Sequence, residues 1–205
     1  MRKITAMILP VLLVAGVVFA QEKAVEQTPK TPEKMPEKAP VKNPFVEVKT
    51  NMGTFYLEVF QNETPIHAKN FLSKVDAGKY DSLTFHRIVP GFVIQGGDPT
   101  GTGSGSMGPE RLPDEKSPYP EVRGTVAMAR SAAGASNCQF YINLKDNLGL
   151  DKQGFSAFAK VVQGMDVVDK IAKVKTGPND RPLEPVVMLK VRRVDKLPVA
   201  TTETK

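Results

Sequence analysis

A chain of 205 residues, 40% hydrophobic and 24% charged, has the make-up of a globular protein with room for one folded domain and accessory segments, not of a fibrous or disordered one. The net charge of +6 includes Arg2 and Lys3 of an N-terminal segment; without them 26 basic residues face 22 acidic ones, and no basic block is interleaved with aromatics, which argues against a nucleic-acid partner. The single cysteine, Cys138, excludes an intrachain disulfide, and the two histidines, His67 and His86, could form a zinc site only with carboxylates recruited from elsewhere, so neither metal nor cofactor is expected.

In chain order, residues 1–20 read MRKITAMILPVLLVAGVVFA: two positive residues, an apolar run broken by Pro10, and small residues at Val18 and Ala20. That is the pattern of a cleaved secretory signal. The alternative is a retained membrane anchor, but a span takes about 20 mostly apolar residues and this run is shorter. Residues 21–43 repeat Pro among Lys and Glu with almost nothing bulky to bury, and predict a disordered, semi-rigid spacer. The globular part is expected over residues 44–194, with a polar tail at 195–205. Phe45–Thr50 and Thr54–Val59 alternate around a turn at Asn51-Met52-Gly53 and predict a hairpin. Thr64 as cap and Pro65 in the first turn, ahead of Ile66, Asn70, Phe71, Lys74 and Val75, with Gly78 as stop, predict a helix with both ends signalled. Strand-like segments follow at Leu83–Val89, Gly91–Gln95, Gly124–Arg130, Gln139–Leu144, Ser156–Val162 and Pro185–Val194, with a second helix from Met165 to about Val174. Two helices among about eight strands, without regular βαβ alternation, indicate a mainly β fold built on an antiparallel sheet or barrel.

The most informative stretch is Phe85-His86-Arg87-Ile88-Val89-Pro90-Gly91-Phe92-Val93-Ile94-Gln95-Gly96-Gly97-Asp98. A charged Arg87 sits in an apolar strand, and Gln95 faces the same side as Val93. The alternative to a functional arginine is an ion pair that holds the strand, since buried charges are costly unless paired. This stretch resembles the core signature of the cyclophilins. Gly124–Arg130 followed by Ser136–Ile142 resembles the second signature, and Ala157–Met165 the third. The resemblance runs in order through residues 44–194, and it implies a closed eight-stranded antiparallel β-barrel capped by two α-helices, with peptidyl-prolyl cis/trans isomerase activity on proline-containing unfolded or flexible polypeptides.

The resemblance implies Arg87 and Gln95 as catalytic residues and Phe92, Val93, Tyr141 and Leu150 around the proline ring. Phe155 stands where a pocket histidine is usual. Gln139 is implied near Arg87, and the backbones of Ala129 and Arg130 along the substrate chain. The reaction asks for no nucleophile or metal. For Phe92 and Tyr141 the plain alternative is core packing. His86 is expected to be a packed, hydrogen-bonded residue, Cys138 to fill a buried space near the site, and Gly101–Ser106 to form a flexible loop at the groove rim; it lacks the Gly-Lys-Ser/Thr ending of a phosphate loop.

Several positions depart from eukaryotic members. There is no tryptophan, and Gly149 stands where those members carry one that binds cyclosporin, so weak cyclosporin binding is expected. Tyr141 replaces a phenylalanine and Arg130 an asparagine. The rival to an exported isomerase is a non-catalytic module that binds proline segments or chaperones exported chains; a membrane-tethered isomerase is a further alternative. A monomer with no stable membrane insertion after cleavage is expected.

Overall fold

The computed structural model describes residues 41–198. The signal expected at 1–20, most of the spacer at 21–43 and the end of the tail lie outside the described residues. Eight strands form one antiparallel sheet: β1 (Phe45–Thr50), β2 (Gly53–Val59), β3 (Arg87–Val89), β4 (Val93–Gly96), β5 (Thr125–Ser131), β6 (Gly134–Asn143), β7 (Ala157–Gln163) and β8 (Met188–Val194). Their order is β3-β4-β6-β5-β7-β2-β1-β8. The two ends of that order approach each other through the segment ahead of β3. Thr84 bridges Val187, Phe85 N–H donates to Val186 O, and Met188 N–H donates to Leu83 O. Mainly β structure curled into a barrel is therefore the observed architecture, with closure made by irregular backbone bonds and no ladder between β3 and β8.

The inside of the curl is the main core, and period-two alternation selects it. Val46, Val48, Phe55, Leu57 and Val59 from the β1–β2 hairpin point inward, as do Ile88, Ile94, Val126, Met128, Phe140 and Ile142. At the hairpin turn, Thr50 Oγ1 donates to Gly53 O at 2.7 Å and accepts from Met52 N–H at 3.0 Å, which closes the reversal locally.

Helix α1 spans Pro65–Asp76 and buries His67, Ala68, Phe71, Leu72 and Val75. Its C-terminus behaves as the sequence predicts: Gly78 has φ +63, its N–H reaches Val75 O, and Lys79 N–H reaches Lys74 O. Those two bonds are a Schellman ending. Its N-terminus differs from expectation. Thr64 makes no side-chain cap; its hydroxyl donates to Phe60 O at 2.9 Å. Both oxygens of Glu115 instead accept the free N–H groups of Ile66 and His67, each at 2.8 Å. Helix α2 is shorter than predicted, Met165–Ile171, because Lys173 and Val174 bond back three residues to Lys170 and Ile171 in a tighter terminal turn.

Strand limits shift for similar reasons. Leu83–Phe85 is extended but spends backbone bonds on Val186, Val187 and Met188, at and just before the start of β8, so β3 proper begins only at Arg87. β6 starts five residues earlier than predicted, because Ser131 and Gly134 pair across a tight reversal.

Candidate active site

Register builds the site on the outer face of the sheet. Arg87 on β3 pairs with Gln95 on β4, Gln95 with Tyr141 on β6, and Tyr141 with Ala127 on β5. Residues opposite one another in antiparallel strands share a face, so these four form one rung running across the sheet. Val93, two residues before Gln95, shares that face and joins Ala127 and Tyr141 in a second, smaller apolar cluster with Phe92, Leu150 and Phe155 packed against it. The result is a surface pocket of about 150 Å³, with Arg87 and Gln95 at one side, Ala129 and Arg130 at another, and Phe92, Val93, Tyr141, Leu150 and Phe155 as its apolar lining. Phe155 meets Tyr141 edge-on with centroids 5.7 Å apart.

Nine of the ten residues singled out from sequence line this pocket. The tenth, Gln139, stands behind it. Its Nε2 donates to Gly103 O at 3.1 Å and Gly105 O at 2.9 Å, and its Oε1 accepts from Gln95 Nε2 at 3.0 Å. Gln95 in turn offers Oε1 to Arg87 Nη1 at 3.5 Å, the long end of a hydrogen bond. A chain of amides thus runs from the glycine loop to the guanidinium.

That loop is organised around one buried carboxylate. Asp98, almost fully buried, accepts from the N–H groups of Thr100, Gly103 and Gly105 and from the Thr100 hydroxyl. Burial pushes the Asp98 carboxyl up, and these donors together outweigh it and hold it below the ordinary carboxylate range. A side chain at Gly105 would collide with Asp98, so the wrap requires glycine there.

Arg130 uses its guanidinium on Asp114 as a two-pronged pair and on Gly154 O, which fixes one wall of the pocket. Ala129 has no Cα partner in either ladder of β5, because the β6 register shifts between Met128 and Arg130 and the β7 ladder ends at Ala127. The Ala129 backbone beside the pocket therefore lies outside both ladders.

Beneath the pocket lies a buried network that sequence reading did not find. Tyr141 OH donates to Glu121 Oε2 at 3.0 Å; Asn143 Nδ2 donates to the same oxygen at 2.6 Å and to Thr125 Oγ1 at 3.0 Å. Asn147 links Asn143 to Phe92 O. Burial pushes the Tyr141 hydroxyl up, and Glu121 adds to it, so the ring stays a neutral donor. The one available signal was Tyr141 itself, since a buried phenol needs a partner; which residue supplies it is a matter of tertiary placement.

His86 corrects an expectation. It is packed and 6% exposed, but neither ring nitrogen has a hydrogen-bond partner among the described residues. Burial lowers its pKa, so it fills space as a neutral ring. Cys138 is fully buried, its Sγ 3.8 Å from Gly105 O.

The described chain matches, over residues 45–193, the family model described as cyclophilin type peptidyl-prolyl cis-trans isomerase. It is 41% identical over 153 residues to a peptidyl-prolyl cis-trans isomerase-like 1 protein of Neurospora crassa, covering 73% of this chain and 93% of the relative. It is 38% identical over 160 residues to a peptidyl-prolyl cis-trans isomerase of Acinetobacter baylyi, covering 73% and 85%. A cyclophilin-type isomerase of Cryptosporidium parvum, crystallised in the presence of the dipeptide Ala-Pro, superposes with a TM-score of 0.68 at 27% identity, covering 74% of this chain and 99% of that one. A match reaching all eight strands of the sheet, with an apolar pocket flanked by Arg87, leaves one conclusion: the chain belongs to the cyclophilin-type peptidyl-prolyl cis-trans isomerases.

Proposed function

We propose that this isomerase acts on Xaa-Pro bonds of exported polypeptides, with Arg87 as the donor to the prolyl nitrogen and the Phe92, Val93, Tyr141, Leu150 and Phe155 pocket as the seat of the proline ring. The observation that carries this reading is the rung that sets Arg87 and Gln95 beside an apolar pocket. A planar amide resists rotation by roughly 18–20 kcal/mol because its nitrogen lone pair is delocalised into the carbonyl. In the twisted transition state the nitrogen becomes pyramidal and basic. A guanidinium beside it then binds the transition state more tightly than the ground state, and that difference lowers the barrier. Gln95 holds the guanidinium, and Gln139 holds Gln95. The backbone at Ala129, outside both ladders, suits pairing with the chain on one side of the proline while the other side turns. The Cryptosporidium parvum relative crystallised with Ala-Pro supports a proline-containing peptide as the ligand class.

Export is supported by the sequence of residues 1–20. Cleavage after Ala20 leaves Gln21 as the first residue of the secreted form, which intact mass reads directly; a retained segment 1–20 would favour a tethered enzyme. The same reading keeps cyclosporin affinity low, because Gly149 offers no indole donor and nothing lies within 4 Å of the Cβ it lacks.

The role of Arg87 is tested by the relaxation rate of short Xaa-Pro peptides with the full chain, wild type beside Arg87→Ala. A hydrogen bond to a charged group is worth about 1.5–3 kcal/mol, so the substitution is expected to lower kcat/KM about ten- to a hundredfold while the protein stays folded. A folded wild type that binds such peptides without accelerating their relaxation would replace this reading with that of a binding or chaperone module.

A further inference from the structure

Arg87 has a second partner, which nothing in the local sequence singles out. Oδ2 of Asp180 lies 3.4 Å from its Nε. The two side chains are 38% and 46% exposed, so water screens the pair and it adds little to stability. The backbone that carries Asp180 is nevertheless held in a disfavoured conformation. Asn179 and Asp180 are consecutive residues at φ +60 and +58, in the left-handed region that Asn and Asp tolerate better than other side chains but still disfavour. The turn that holds them, Pro178–Asp180, is clamped at its base: Gly177 N–H donates to Arg181 O at 2.8 Å, and Thr176 bridges Pro182. The clamp directs Asp180 to β3, on the side of Arg87 away from the proline pocket, where both residues line a separate cavity with His86, Gln95, Thr102 and Gly103.

We propose that Asp180 is a positioning residue for Arg87. It holds the Nε edge of the guanidinium while Gln95 Oε1 holds Nη1. Nη2 has no hydrogen-bond partner among the described residues and is the donor left to face the prolyl nitrogen. A guanidinium is one rigid plane, so restraining two of its nitrogens aims the third. Restraint of that kind acts where the donor matters most, in the transition state, and leaves ground-state binding of the peptide nearly untouched.

The proposal rests on Arg87 being the donor, and one set of variants separates the two. In the full chain, kcat and KM for an Xaa-Pro peptide are measured by NMR exchange for wild type, Arg87→Ala, Asp180→Gly and Asp180→Asn, with thermal unfolding of each. Asp180→Gly removes the carboxylate and relieves the positive φ together, so kcat is expected to fall about three- to tenfold with KM within about twofold and the unfolding midpoint close to wild type. Asp180→Asn keeps an oxygen acceptor and suits the turn, and is expected to recover part of kcat. Wild-type kcat in Asp180→Gly beside an inactive Arg87→Ala overturns the positioning role and leaves Arg87 standing. So does a loss of kcat that tracks a lowered midpoint in both Asp180 variants. Full activity in Arg87→Ala overturns both assignments.

Discussion

A tyrosine lining an apolar pocket brings a hydroxyl that must be satisfied below the surface, and in this chain Glu121 satisfies it. Glu121 is fully buried, and one of its oxygens, Oε1, has no hydrogen-bond partner among the described residues. Burial pushes its carboxyl up; the bonds from Asn143 and Tyr141 oppose that shift without cancelling it. A carboxyl with a raised pKa holds its proton longer in the folded state than in the unfolded one. The stability belonging to the neutral form is therefore present below the unfolded pKa and is lost as pH rises through the folded value. Glu121→Gln cannot ionise. Its stability relative to wild type is expected to increase as pH rises above the ordinary carboxyl range of about 4, read from urea unfolding at several pH values. A difference that stays flat with pH would mean that Glu121 ionises alike in both states. At this same scale the cyclophilin resemblance singled out every pocket side chain, but not their supports: Glu121, Asp114 and Asp180 are acids of ordinary appearance until folding sets each beside its partner.

Among elements, α1 illustrates how a local signal is fulfilled by a distant residue. Thr64-Pro65 marked the helix start correctly, yet the orphan N–H groups of the first turn are satisfied by Glu115 from the loop before β5. The carboxylate also meets the positive end of the helix dipole. Glu115→Ala is expected to cost about 0.5–2 kcal/mol, with faster amide exchange at Ile66 and His67, and Glu115→Gln to cost less. Thermal unfolding with hydrogen exchange checks both; unchanged protection at those two amides would remove Glu115 from this role. The loop that supplies Glu115 also supplies Asp114, the partner of Arg130. Helix start and pocket wall are thus held by neighbouring residues of one loop.

At the scale of the whole described domain, the seam between the two ends of the sheet closes its curl. Asn51, in the β1–β2 turn, donates Nδ2 to Pro185 O and accepts Val187 N–H on Oδ1, both at 2.9 Å, tying the first hairpin to the lead-in of β8. Asn51→Ala removes both bonds and is expected to lower stability by about 1–2 kcal/mol in a single cooperative urea transition. A second, separate transition would mean that the lead-in of β8, which Asn51 anchors and to which Thr84 and Phe85 bond across the seam, unfolds independently. The β1–β2 hairpin and the helices were legible because each buries one face, which imprints period two or period 3.6 on the sequence itself, whereas β6 is buried on both faces and was legible only as an apolar run between turn signals. The outward residues Arg87, Gln95 and Tyr141 were legible as a set through the cyclophilin resemblance. The sequence by itself thus determined the elements, their inward faces and the chemical types at the pocket, since those follow from local pattern and short motifs. Only the tertiary structure decided the register that makes one rung of them, the amide relay through Gln139, the Glu121 network under Tyr141 and the strained turn that brings Asp180 to Arg87. Each of those joins residues far apart in the chain, and no local periodicity records such a pairing.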